Sequence, residues 1–183
     1  MITLPFRLRT MSVAAFAAAS FGVLAPTAGT AQNSPVIAAF RESGGTFGRN
    51  LLAAADAMPA DKYAFKPTPA QRSFGEVLAH VAEGNDYMCS AFGPVKLPVR
   101  APVNVAAGKD ALIARLKETF AFCDQTLAGV GDSKIGEAIP FGTEMKTRAQ
   151  IETFVVADWA DHYSQLAIYM RLNGLLPPTA KKP

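Results

Sequence analysis

The sequence predicts an all-α protein, a four-helix bundle joined by long crossover loops. Three observations predict it. Four segments carry apolar residues at steps of three and four, the helical spacing. Two of them open on capping boxes, Ser73-Phe-Gly-Glu76 and Thr147-Arg-Ala-Gln150, whose first and last side chains satisfy each other's backbone N–H groups. The stretches between are rich in proline and glycine, and none shows the sustained alternation of a half-buried strand. Each helix needs cover for its apolar stripe, and four inward-facing stripes make a bundle.

The first 31 residues are set apart from the fold. Arg7 and Arg9 precede an uncharged apolar run over residues 11–24, and Gly29-Thr30-Ala31 places small residues where a signal peptidase reads them. The expectation is a secretory signal peptide over residues 1–31 and a single bundle domain over residues 32–183. The run is short and Ala-rich, which disfavours the alternative of an N-terminal anchor. Removing Arg7 and Arg9 leaves 16 basic residues against 15 acidic, so the net charge falls from +3 to +1. No basic run survives, which argues against nucleic-acid or anionic-membrane partners. The expected product is exported, to periplasm or extracellular space, and nearly neutral, with a small molecule as its partner and a homodimer as one assembly open to it.

Within the domain, Ser34-Pro35 supplies an N-cap and first-turn pair, and the helix it opens stops before Pro59. "SGGTFG", residues 43–48, predicts a kink there or a break that leaves only residues 47–58 continuous. Pro67 and Pro69 make the next stretch a loop. The second helix runs from the Ser73 box to about Phe92. An irregular crossover follows, and Asp110 opens the third helix with Leu112, Leu116, Phe120, Cys123 and Leu127 on its face. Residues 135–141 are read as a short extended piece within a loop. The fourth helix runs from the Thr147 box to Gly174, a natural C′ residue ahead of Pro177-Pro178.

The fourth helix carries an anomaly. Val155, Asp158, His162, Leu166 and Tyr169 share one stripe, and a carboxylate does not belong on a dry face. The chain has two histidines, His80 in mid-second helix and His162 in mid-fourth. Histidines on facing helices of a bundle can converge, and Asp158 at i,i+4 from His162 lies within about 6 Å of it. Two imidazoles and a carboxylate suit a divalent ion such as Zn, Ni, Fe or Mn. A hydrogen-bonded structural histidine, or Asp158 paired with a histidine or with Tyr87, is the alternative. Glu83 and Tyr87, one and two turns beyond His80, are candidates for lining the site. Trp159 points off the stripe and reads as packing. Cys89 and Cys123 allow one internal pairing, and export favours the disulfide over two buried thiols or a catalytic thiol.

Two stretches carry a resemblance: "ADAMPADKYAFKPTPAQRSFGEVLAHVAEGNDYMC" and "DHYSQLAIYMRLNGLLPP". Met58-Pro59, the "KPTP" loop ahead of His80, and the closing run of His162, Gln165, Tyr169, Arg171, Gly174, Pro177 and Pro178 make the chain similar to the DinB/YfiT-like superfamily of metal-dependent four-helix bundles. The likeness spans about residues 47–178. It implies that His80 is the first metal ligand, His162 the last, and Gln165 a pocket neighbour. The family's middle histidine is Asp158 here, so the implied site is two histidines and a carboxylate, or one that has given up its metal. Relatives include thiol-dependent transferases and isomerases. Their thiol cosubstrates are cytoplasmic, so an exported member is better matched to hydrolysis. A non-catalytic ligand- or partner-binding bundle is the second reading.

Overall fold

The computed structural model describes residues 35–180, so the signal-peptide reading and the Ser34 cap lie outside the described residues. Four helices account for most of the described residues: α1 (Pro35–Ala57), α2 (Phe74–Phe92), α3 (Gly108–Ala128) and α4 (Arg148–Leu172). Both capping boxes form with both halves present, Ser73 with Glu76 and Thr147 with Gln150, and they start α2 and α4 where their sequences place them. Helix α3 begins at Gly108, slightly ahead of Asp110. Asn173 caps α4, and Gly174 takes the left-handed turn at φ +73°.

Helix α1 packs against α3 and α4, and α2 packs against the same two, giving the ring order α1, α3, α2, α4. Three ties set the directions. Lys109 Nζ donates to the carbonyls of Asp56 and Met58, while Asp132 accepts from the N–H groups of Val36 and Ile37, so α1 and α3 are antiparallel. Cys89 and Cys123 form a disulfide near the ends of α2 and α3, with Cα atoms 5.1 Å apart, so those two run parallel. Tyr169 near the end of α4 donates to the Arg72 carbonyl just ahead of α2, so these two oppose each other. A parallel α2–α3 pair needs a connection that returns the full helix length, which is why residues 93–107 form a long crossover.

One expectation is corrected and a second is extended. Helix α1 is continuous through residues 43–48. Its glycines are sites of close approach: a Cβ on Gly44 would stand 2.8 Å from the Trp159 ring, and one on Gly48 would stand 3.3 Å from Phe120. Helix–helix contact thus outweighs glycine's poor helix propensity, about 1 kcal/mol per residue. The extended piece is a complete hairpin, β1 (Ala138–Phe141) with β2 (Glu144–Thr147), antiparallel and in register from Ala138↔Thr147 to Phe141↔Glu144. Gly142, at φ +61°, opens its two-residue turn.

The core runs the length of the bundle, with Leu51, Met58, Phe74, Leu78, Phe92, Leu116, Ile151, Leu166 and Met170 all shielded from solvent. Within it, a chain of polar groups satisfies itself: Trp159 Nε1 donates to Asn85 Oδ1 at 2.6 Å, Asn85 Nδ2 to Thr119 Oγ1, and Thr119 to the Leu116 carbonyl. Among the described residues no helix is long and apolar enough to cross a membrane. That and the disulfide are compatible with export.

Candidate functional site

The α2/α4 seam holds the two histidines. Their rings meet edge to face with centroids 5.1 Å apart. One turn before His162, Asp158 brings Oδ1 to 3.5 Å from His162 Nε2. His162 is buried, whereas His80 and Asp158 are half-buried, so the group lies at the edge of the core, open to solvent on one side.

A hydrogen-bond relay determines which nitrogen of His162 carries the proton. The Arg72 carbonyl can only accept, so Tyr169 donates its hydroxyl to it at 3.0 Å. The Tyr169 oxygen accepts from Gln165 Nε2 at 3.1 Å, which turns Gln165 Oε1 toward His162 Nδ1, 3.2 Å away. An amide oxygen needs a donor, so Nδ1 bears the hydrogen. In the neutral ring Nε2 is then a bare lone pair, and it faces the Asp158 carboxylate. Two electron-rich groups at this distance repel each other, and a proton on Nε2 or a metal ion between them turns the contact favourable. The Asp158 hydrogen bond holds the His162 pKa above the usual imidazole range, with burial opposing it. His80 is shifted the other way, chiefly by burial and then by Arg72 and His162, which keeps it neutral and able to donate a lone pair.

The donor types fit a divalent ion: two imidazoles, a carboxylate, and an outer hydrogen-bond partner for His162. Their arrangement falls short of a preformed cage. Among the described residues no three His, Cys, Asp or Glu side chains form a group that could hold a metal ion.

A polar cavity of about 400 Å³ opens beside His80, with Lys66, Arg72, Glu76, Glu83 and Asn104 on its walls. Glu83 therefore stands in this cavity. Gln165 is the inner link of the relay. Tyr87 is placed elsewhere: it is 54 % exposed and leans on Phe141 of the hairpin, ring centroids 5.4 Å apart, two turns along α2 from His80. Glu76 is committed to the α2 cap. Its carboxyl is held down to about 2, first by the Ser73 N–H and then by Lys66.

Arg72 and the buried Glu152 were not singled out from the sequence, and Tyr169 was read there without its part in the relay. Arg72 acts through a loop carbonyl, which no side-chain pattern reveals. Tyr169 lies on the stripe but gave no sign of closing a relay. Glu152 is 1 % exposed, and its Oε1 has no hydrogen-bond partner. Burial alone pushes its carboxyl up to about 7. The signal was present in the spacing, since Glu152 stands three and seven residues before Val155 and Trp159 on a buried face.

Comparison with known proteins supplies a lineage. The sequence model of the DinB superfamily matches residues 46–166. The fold superposes on the crystal structure of a DinB-like protein from Bacillus cereus with a TM-score of 0.65, at 16 % identity, covering 78 % of this chain and 95 % of that one. At that identity the likeness speaks for the fold alone. No curated protein gives a significant match.

Proposed function

The chain belongs to the DinB superfamily, and on that premise we propose that it is an exported bundle holding a divalent metal ion among His80, Asp158 and His162, with hydrolytic chemistry on a small molecule. The observation that carries this reading is the relay. It turns the His162 lone pair toward a carboxylate 3.5 Å away, an arrangement that calls for a cation. An ion of the Zn, Ni, Fe or Mn class would supply Lewis acidity, which brings water activation into the neutral pH range.

The chain's own groups do the rest. Gln165, Tyr169 and the Arg72 carbonyl hold the His162 ring in one tautomer and one orientation. His80, neutral in its partly dry setting, offers the second imidazole from the facing helix. Asp158 offsets one positive charge of the ion, which lowers the site's charge relative to a three-histidine set. The cavity beside His80 gives a substrate its approach, with Lys66 and Arg72 to attract a negatively charged or carbonyl-bearing group and Glu83 as a proton acceptor at the wall. Hydrolysis is preferred to thiol transfer because low-molecular-weight thiols are cytoplasmic cosubstrates.

The second reading places a proton where the first places a metal. The raised pKa of His162 favours it, since an imidazolium beside Asp158 settles the same confrontation without an ion. The bundle would then be a non-catalytic binding protein. Elemental analysis of protein purified without an affinity tag separates the two. The metal reading expects one divalent ion per chain that is absent from His162→Ala. Metal-free protein that also takes up no added zinc or nickel supports the proton.

A further inference from the structure

On the side of the bundle away from the histidines, a cleft of about 290 Å³ runs between α1 and α3 and is floored by Trp159 and Phe120. The two aromatics meet edge to face with ring centroids 4.9 Å apart. Phe40 and Leu52 of α1 and Leu127 of α3 complete an apolar wall. Three glycines of α1 line it as well. Packing accounts for Gly44 and Gly48, whose hydrogens lie against Trp159 and Phe120. It does not account for Gly45, where an added Cβ would meet only the flexible tip of Arg49, at 3.2 Å. Glycine is the poorest helix former after proline, so a third one within five residues preserves open space in the cleft at a cost to the helix.

The charges at the rim are unequal. Arg41 is held by Asp124 through two hydrogen bonds, of 2.9 and 3.2 Å, which cancels that pair. Arg49 donates to the Thr46 hydroxyl at 3.1 Å and has no carboxylate within ion-pair distance among the described residues. An apolar cleft with one uncompensated guanidinium at its mouth is complementary to a small apolar acid: the hydrocarbon lies on Trp159 and Phe120, and the carboxylate reaches Arg49. The volume sits at the small end of ligand pockets, roughly 300–1,000 Å³. We propose that this cleft is a second binding site, for a small amphipathic carboxylate, formed by α1, α3 and Trp159 and independent of the histidine site.

Trp159 is the chain's one tryptophan, so its emission reports on the cleft directly. The test titrates the mature chain with octanoate, octanol and octylammonium, which share a tail and differ in head charge. Octanoate should give a saturable change in emission and bind most tightly, with octylammonium weakest. Arg49→Gln, at an exposed position, should weaken octanoate by about tenfold, the loss expected of one charge-assisted contact, and leave octanol unchanged. Gly45→Leu should fill the cleft and abolish both responses without lowering the melting temperature. The proposal is overturned by any of three results: no saturable response to octanoate, octylammonium binding as well as octanoate, or unchanged octanoate affinity in Arg49→Gln. None of these readouts involves the metal, so failure here leaves the histidine site untouched.

Discussion

Replacing Glu152 by methionine should stabilise the protein, and the gain should grow as pH rises from 4.5 to about 7. The carboxyl is 1 % exposed, and its Oε1 has no partner. Burial moves its pKa from the usual 4.5 to about 7. The folded state therefore binds this proton more tightly than the unfolded state does. Below pH 4.5 both states are protonated and the charge imposes no penalty. Between the two values stability falls with rising pH, and above the higher value the penalty is complete. At about 1.4 kcal/mol per tenfold change in proton affinity, the full penalty is about 3 kcal/mol. Methionine has a similar length, no charge to desolvate, and enough flexibility to fill the site. For a domain of this size the gain at about pH 8 corresponds to a melting temperature higher by about 6–12 °C, shrinking strongly near pH 4.5. Thermal or urea unfolding followed by Trp159 emission at both pH values measures it. An equal gain at the two pH values would refute the reasoning, because it would mean that ionisation of Glu152 costs nothing in the fold.

Three further outcomes are expected. Gly44→Ala should destabilise, since a Cβ 2.8 Å from the buried Trp159 ring overpacks the contact by about 1–3 kcal/mol and recovers only about 1 kcal/mol of helix propensity; Gly45→Ala, facing only the Arg49 tip, should stabilise by up to about 1 kcal/mol in the same urea titration. Cys89→Ser with Cys123→Ser should cost roughly 3–4 kcal/mol for a bridge closing 34 residues, and reductant should lower the wild-type melting point but not the variant's. In metal-free protein, proton NMR of the two histidines should show the His162 pKa falling on Asp158→Asn. Because that pKa is raised in the fold, the stability it confers is present below the ordinary imidazole value and is lost as pH rises through the raised one. An unmoved His162 pKa in Asp158→Asn would remove Asp158 as its partner.

The helices were legible because each announces itself locally. Ser73 and Thr147 start theirs with complete capping boxes, and Gly174 closes the last with a left-handed turn. The hairpin was not legible, since four-residue strands are too short to show a period and Pro140 argues against one. The glycines of α1 misled for another reason: their purpose is set by Trp159 and Phe120, more than seventy residues away in sequence. At the site, spacing placed Asp158 beside His162, and the family resemblance paired His80 with them; the rings do meet. Tyr87 shares a helix face with His80 by count, yet the hairpin covers that end of α2 and gives it Phe141 as a neighbour. The His162 tautomer lay beyond sequence reading, because it depends on a backbone carbonyl in the loop before α2.

The central claim is that His80, Asp158 and His162 share one divalent ion. Thermal unfolding of metal-stripped wild type and His162→Ala, each with and without added zinc, tests it most directly, because an ion that binds only the folded state raises the melting temperature by mass action. The account predicts a zinc-dependent rise in wild type and almost none in His162→Ala. Equal shifts in the two proteins, or no shift in either, would contradict it and leave a proton as the cation between His162 and Asp158.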